Sequence, residues 1–204
     1  GFTSLKFGGG VLGDDPDLDV EIVKAVRNEV GENFELQIDL ATKWRTYGNA
    51  AGMFKRMEPF HLNWIEEPIM GDDMDGYARL AAMGISKISG GEVLTTRYEF
   101  AEFIKKSQVD IVQPDVTRCG GISEMRKIAA FAEVFYLNLI PHNNAGALGT
   151  AATLHAALAL SNVVMIEAPW ANSDAQTDVV SPYPSIEKGY ALPLEGPGLG
   201  VSFD

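Results

Sequence analysis

Glu35-Leu36-Gln37-Ile38-Asp39-Leu40 alternates strictly, with Leu36, Ile38 and Leu40 on one face and Glu35, Gln37 and Asp39 on the other. Period two is the side-chain repeat of a strand, so the pattern predicts a strand backed by helices on its apolar side and lining a polar interior with the other. The rest of the chain alternates such runs with helix-length stretches. A strand approach at 3–8 runs into Gly8-Gly9-Gly10, and Asp15-Pro16 supplies an N-cap and a helix-starting proline for a helix from about Asp17 to Val30. Further helices are predicted at 48–57, 76–83, 96–106, 123–134 and 148–160, with strands at 62–65, 87–91, 109–114, 137–141 and 163–166. Thr96 with Glu99 three residues on predicts a capping box. After Pro169 the chain reads as loop-rich.

Seven strands in strict alternation with six helices imply a parallel sheet. Charged or polar residues close successive strands: Asp39, Glu66, Glu92, Asp115, His142 and Glu167, one roughly every 25 residues. A βα unit of that length suits a barrel. The competing architecture, an open doubly wound sheet, gathers its ligands at one switch point rather than at every strand end. An eight-stranded barrel then lacks one strand, so the first βα unit is expected upstream of residue 1. The expected division is a barrel domain, residues 1–170, holding strands 2 to 8, and a loop-rich tail, residues 171–204, packing back on it or on a capping domain.

Composition narrows the partners. The 204 residues are 46% hydrophobic, enough for one substantial core, and no apolar run is long enough to suggest a membrane span. A formal charge of −12 argues against nucleic acid or an anionic membrane. The single cysteine, Cys119, forms no internal disulfide, which fits a reducing cytoplasm, and no signal peptide is visible.

The stretch Asn63-Trp64-Ile65-Glu66-Glu67-Pro68 sets the chemistry, because two carboxylates close an apolar run where charge is costly without a partner. Asp39, Glu66 and Glu92 end three consecutive strands. Converging carboxylates repel one another, so the set suits a hard divalent ion, most naturally Mg²⁺. Strand parity favours Glu66 over Glu67 and leaves both open. Asp115 and His142 end adjacent strands, and a carboxylate bonded to an imidazole makes a competent general base or acid. Lys6 is expected to face them from the opposite side. Lys43, Trp44, Arg45, Asn143 and Asn144 suit either a polyhydroxy substrate or plain surface, and His61 and His155 read as packing or surface residues.

Lys6, Asp39, Trp64-Ile65-Glu66-Glu67-Pro68, Gly91-Glu92, Gln113-Pro114-Asp115, Gly120-Gly121, Pro141-His142, Glu167 and Gly196-Pro197-Gly198-Leu199-Gly200 together resemble the barrel domain of the enolase superfamily, mandelate racemase subgroup. The resemblance implies an α/β fold, a modified (β/α)7β TIM barrel, in which Mg²⁺ binds the substrate carboxylate while a base removes the α-proton. Asp39, Glu66 and Glu92 match the metal ligands. His142, paired with Asp115, matches a base or acid on one face and Lys6 one on the other. Glu167 matches a group that hydrogen-bonds the substrate carboxylate when protonated, a state that apolar Val164, Met165 and Ile166 favour. Ser4 replaces a second lysine that many members carry. Val93 stands where rhamnonate dehydratases have histidine, and Ala41 where mandelate racemase has asparagine.

The expected activity is a Mg²⁺-dependent dehydration of a sugar acid, an aldonate or aldarate, to a 2-keto-3-deoxy acid, by family analogy. A racemase or epimerase of a 2-hydroxy acid is the alternative enzyme. The non-enzyme alternative is a barrel fragment that keeps only metal binding. The expected partners are a small-molecule carboxylate, an upstream capping domain and further copies of the chain.

Overall fold

The computed structural model describes residues 1–144, 146–167 and 180–203. Strand and helix alternate as β1 (Ser4–Gly8), α1 (Pro16–Val30), β2 (Glu35–Asp39), α2 (Tyr47–Met57), β3 (Trp64–Glu66), α3 (Met74–Ala81), β4 (Lys87–Gly90) and α4 (Thr96–Ser107). The series continues with β5 (Ile111–Val112), α5 (Ile122–Val134), β6 (Asn138–Leu139) and α6 (Gly146–Leu158). These six strands form one sheet in chain order, β1-β2-β3-β4-β5-β6. A sheet whose neighbours are always consecutive has no switch point, which excludes the doubly wound alternative. Among the described residues no helix is long and apolar enough to cross a membrane.

The chain forms two compact units, one of residues 2–90 and 103–111, the other of Gly1 with residues 91–102 and 112–204. In the first, Leu36, Ile38 and Leu40 are wholly buried beside Phe54, Ile65 and Ile88, as the alternation predicts. Tyr77 and Phe103 pack edge to face at 5.4 Å in the same core. In the second, Val112, Met125, Ile128, Leu139 and Ala151 are buried.

Local signals explain the helix ends. Asp15 caps α1, its carboxylate accepting the N–H groups of Asp17 and Leu18 at 2.9 and 3.3 Å, with Pro16 behind it. Asp15→Ala is expected to cost about 1 kcal/mol of stability, read as a lower urea midpoint with an unchanged slope. Near the other end, buried Arg27 donates to the carbonyls of Phe60, Gly31, Phe34 and His61 and ties the helix to the turn before β3.

Two expectations need correction. Glu99 accepts the N–H of Thr95 at 2.7 Å, while Thr96 donates to the Cys119 carbonyl, so the cap forms one residue earlier than predicted. Residues 163–166 contribute a single parallel bridge, Leu139 to Val163, rather than a strand. The tail holds two short antiparallel ladders, β7 (Val180–Ser181) with β10 (Ser202–Phe203) and β8 (Ile186–Glu187) with β9 (Tyr190–Ala191). The expected domain boundary at 170/171 lies outside the described residues.

Candidate active site

In the first unit, the ends of β1, β2 and β3 align. Gly8 pairs with Asp39, and Asp39 with Glu66. This register requires a glycine. Gly8 has φ +135°, and a Cβ there would stand 2.0 Å from the Asp39 carbonyl oxygen. Gly9 then donates its N–H to that oxygen at 2.9 Å. The Asp39 carboxylate accepts the Ala41 N–H at 2.8 Å, which holds it at the strand end.

Register also separates the two glutamates. Glu66 shares a face with Lys6, whose Nζ lies 2.5 Å from Glu66 Oε1. Glu66 is fully buried, and the Trp64 indole N–H reaches its second oxygen at 3.4 Å. Glu67 leaves the strand with φ 38°. Its backbone is spent on Ser89 and Thr42, so it breaks the alignment with Asp39.

In the second unit, Asp115, His142 and Glu92 meet. Asp115 Oδ2 lies 2.7 Å from His142 Nδ1, and His142 Nε2 lies 3.3 Å from Glu92 Oε2. The backbone N–H and hydroxyl of Thr117 both donate to Asp115 Oδ1, at 2.7 and 2.6 Å. Burial alone would raise the Asp115 pKa, but the hydrogen bonds from His142 and Thr117 hold it below 3.8. An ionised Asp115 only accepts, so the imidazole proton sits on Nδ1 and Nε2 is the nitrogen that gains and loses a proton. Burial likewise opposes charge on His142. The Asp115 hydrogen bond and the charges of Glu92, Glu167 and Asp115 outweigh it and raise its pKa above 6.5.

A raised folded-state pKa means that protonated His142 stabilises the fold fully below pH 6.5, and that this contribution fades as pH climbs through the folded value. The depressed pKa of Asp115 acts oppositely, with stability lost only as pH falls below 3.8. In metal-free protein, urea midpoints are expected to decline from pH 6.5 upward. A His142→Asn variant should flatten that limb, and an equal decline in the variant would assign it to another group.

Sequence reasoning missed Arg118. Its Nη1 lies 3.3 Å from Glu92 Oε1 and its Nε 3.9 Å from Asp115 Oδ2, so it braces both acids. The available signal was its position three residues after Asp115 in a turn where the Arg118 N–H returns to the Asp115 carbonyl. Glu167 is half-buried and Val164 is 55% exposed, so the apolar shelter expected around Glu167 is incomplete. Glu167 instead has one oxygen on the Asn143 N–H, at 3.0 Å.

The other polar candidates separate. Trp44 is a core residue, 3% exposed, with its indole N–H on buried Asp19 at 3.1 Å. Lys43 pairs with Asp14 at 2.7 Å, and Arg45 and Asn144 are exposed. His155 packs its Nε2 against the Leu199 carbonyl at 3.0 Å. Burial pushes the Cys119 thiol up to about 11, so it is no nucleophile at neutral pH.

Among the described residues no three acidic, histidine or cysteine side chains form a ready-made cation cage. Glu66 is engaged by Lys6, and Glu92 by His142 and Arg118. The donor chemistry nevertheless fits a hard divalent ion. Asp39 and Glu66 offer only oxygens from adjacent, register-matched strand ends, and the buried Glu66 charge already requires a cation.

The profile described as Enolase C-terminal domain-like matches residues 1–204. An arabinonate dehydratase of Saccharolobus solfataricus is 38% identical over 202 residues, covering 99% of this chain and 53% of that protein. The crystal structure of a 3,6-anhydro-D-galactonate cycloisomerase from Zobellia galactanivorans superposes with a TM-score of 0.91 at 30% identity, over 100% of this chain and 57% of that one. An L-talarate dehydratase from Polaromonas sp. JS666, complexed with Mg and L-glucarate, superposes with a TM-score of 0.87 at 31% identity, over 100% and 54%. The chain therefore spans about half the length of the relatives it matches.

Proposed function

Because the chain belongs to the Enolase C-terminal domain-like family, we propose that it carries the catalytic residues of a Mg²⁺-dependent sugar-acid dehydratase, which converts an aldonate or aldarate to a 2-keto-3-deoxy acid. The observation that carries this reading is the Asp115–His142 pair, 2.7 Å apart, which leaves Nε2 as the proton-transferring atom. The names of the arabinonate and talarate dehydratases support the substrate class.

Asp39, Glu66 and Glu92 would hold the ion. When bound, Mg²⁺ supplies positive charge at the substrate carboxylate and so makes the α-proton easier to remove. His142 takes that proton at Nε2, and Asp115 stabilises the resulting imidazolium. His142 or Lys6 then returns a proton to the departing β-hydroxyl. Water leaves, and the enol tautomerises to the ketone. Glu167 hydrogen-bonds the substrate carboxylate.

A second reading, isomerisation, draws on the likeness to the cycloisomerase and on Lys6, which offers a second proton-transfer group. Product analysis separates the two. The full-length protein with Mg²⁺ and a panel of five- and six-carbon aldonates and aldarates is expected to release a keto acid that semicarbazide traps. A stereoisomer or ring-closed product without keto acid selects isomerisation. Calorimetry is expected to show Mg²⁺ binding weakened about tenfold or more in both Asp39→Asn and Glu92→Gln. Unchanged affinity in either variant removes that carboxylate from the metal site.

A further inference from the structure

Asn143 reads in the sequence as a loop residue facing substrate or solvent, yet it is only 1% exposed, as is Thr150. Both ends of its side-chain amide are engaged. Nδ2 donates to the Glu167 backbone carbonyl at 3.1 Å, and Oδ1 accepts from the Thr150 hydroxyl at 3.1 Å. The Asn143 backbone N–H donates to Glu167 Oε2 at 3.0 Å. The Thr150 proton is thus committed to Asn143. The result is a directed series from Thr150 on α6, through Asn143 beside the base, to Glu167.

We propose that Asn143 is a positioning residue for Glu167, and that Thr150 fixes the orientation of its amide. The inference rests on the reading of Glu167 as a group that contacts the substrate carboxylate. The Asn143 backbone N–H fixes Oε2 as an acceptor, which sets the orientation of the carboxylate. His142 and Asn143 are consecutive, so one short segment carries the base and also grips Glu167 through both backbone and side chain. Misplacing such a group by about 1 Å costs on the order of 10²-fold in rate. Burial keeps the network intact, because an unpaired amide or hydroxyl here would go unsolvated.

The test compares Asn143→Ala and Thr150→Val in the full-length protein, alone and in a Glu167→Gln background. The probe is a panel of five- and six-carbon aldonates with Mg²⁺, and unfolding midpoints report folding. Asn143→Ala and Thr150→Val are expected to lower kcat about tenfold or more with KM changed less than about threefold. In the Glu167→Gln background neither should lower kcat further. Full additivity there would overturn the proposal. A crystal structure of Asn143→Ala supplies a readout independent of turnover, with the Glu167 carboxylate expected to shift by about 1 Å or more. A carboxylate that superposes on the wild type would overturn the proposal too. If wild-type protein neither converts any acid of the panel nor exchanges an α-proton, the dehydratase reading fails, and the crystallographic comparison alone decides the role of Asn143.

Discussion

His142→Asn is expected to abolish exchange of the substrate α-proton, a fall of about 10²–10⁴-fold, while Mg²⁺ affinity changes little. Asparagine can still bond to Asp115, which keeps its two Thr117 donors, so the surrounding turn survives. What disappears is the titrating Nε2, 3.3 Å from Glu92 and the only atom of this pair that can cycle a proton. The measurement is deuterium incorporation at C2 of the sugar acid in D₂O, followed by NMR, beside calorimetry with Mg²⁺. Exchange that persists at the wild-type rate would remove His142 from the mechanism and move proton transfer to Lys6, which a Lys6→Met, His142→Asn double variant would then silence. Mg²⁺ binding lost together with exchange would mean that His142 serves the metal site instead.

Lys6→Met should be strongly destabilising, costing about 3–5 kcal/mol in metal-free protein. Its ammonium lies 2.5 Å from the carboxylate of Glu66, which is wholly inaccessible, while the lysine side chain itself is only 21% exposed. Removing the cation leaves a buried negative charge without its ion pair, and methionine restores the packing but not the charge. Two comparisons test this account. Adding Glu66→Gln to Lys6→Met should recover much of the loss, and saturating Mg²⁺ should raise the unfolding midpoint of Lys6→Met more than that of the wild type. A double variant as unstable as the sum of its parts would show that Lys6 acts through packing and not through Glu66.

Much of the architecture could be read from side-chain periodicity. The alternation at 35–40 placed the apolar face of β2 correctly because burial on one side of a strand constrains every second residue. Asp15-Pro16 marked the start of α1 because capping is a local interaction between neighbours in sequence. The same logic failed where distant residues intervened. Thr96 spends its N–H on Cys119, which no window around Thr96 reveals, and the capping glutamate turns to Thr95 instead. Residues 163–166 have the composition of a strand, but pairing depends on a partner, and the segment meets Leu139 alone through one bridge. The tail ladder of β7 with β10 joins segments about twenty residues apart, beyond the reach of turn chemistry.

The candidate site divides along the same line. By itself the sequence determined which residue types stand at successive strand ends, because a regular βα repeat returns the chain to the same edge of a parallel sheet. Asp39 and Glu66 end β2 and β3, Glu92, Asp115 and His142 follow β4, β5 and β6 by two or three residues, and Glu167 follows a single bridge rather than a strand. Only the tertiary structure decided their engagements: Lys6 on Glu66, Arg118 across Glu92 and Asp115, Trp44 in the core and Asn143 beneath Glu167. Hydrogen bonds and ion pairs depend on distances of a few ångströms between elements far apart in the chain. Those distances follow from strand register and side-chain packing, which a one-dimensional pattern constrains but does not specify.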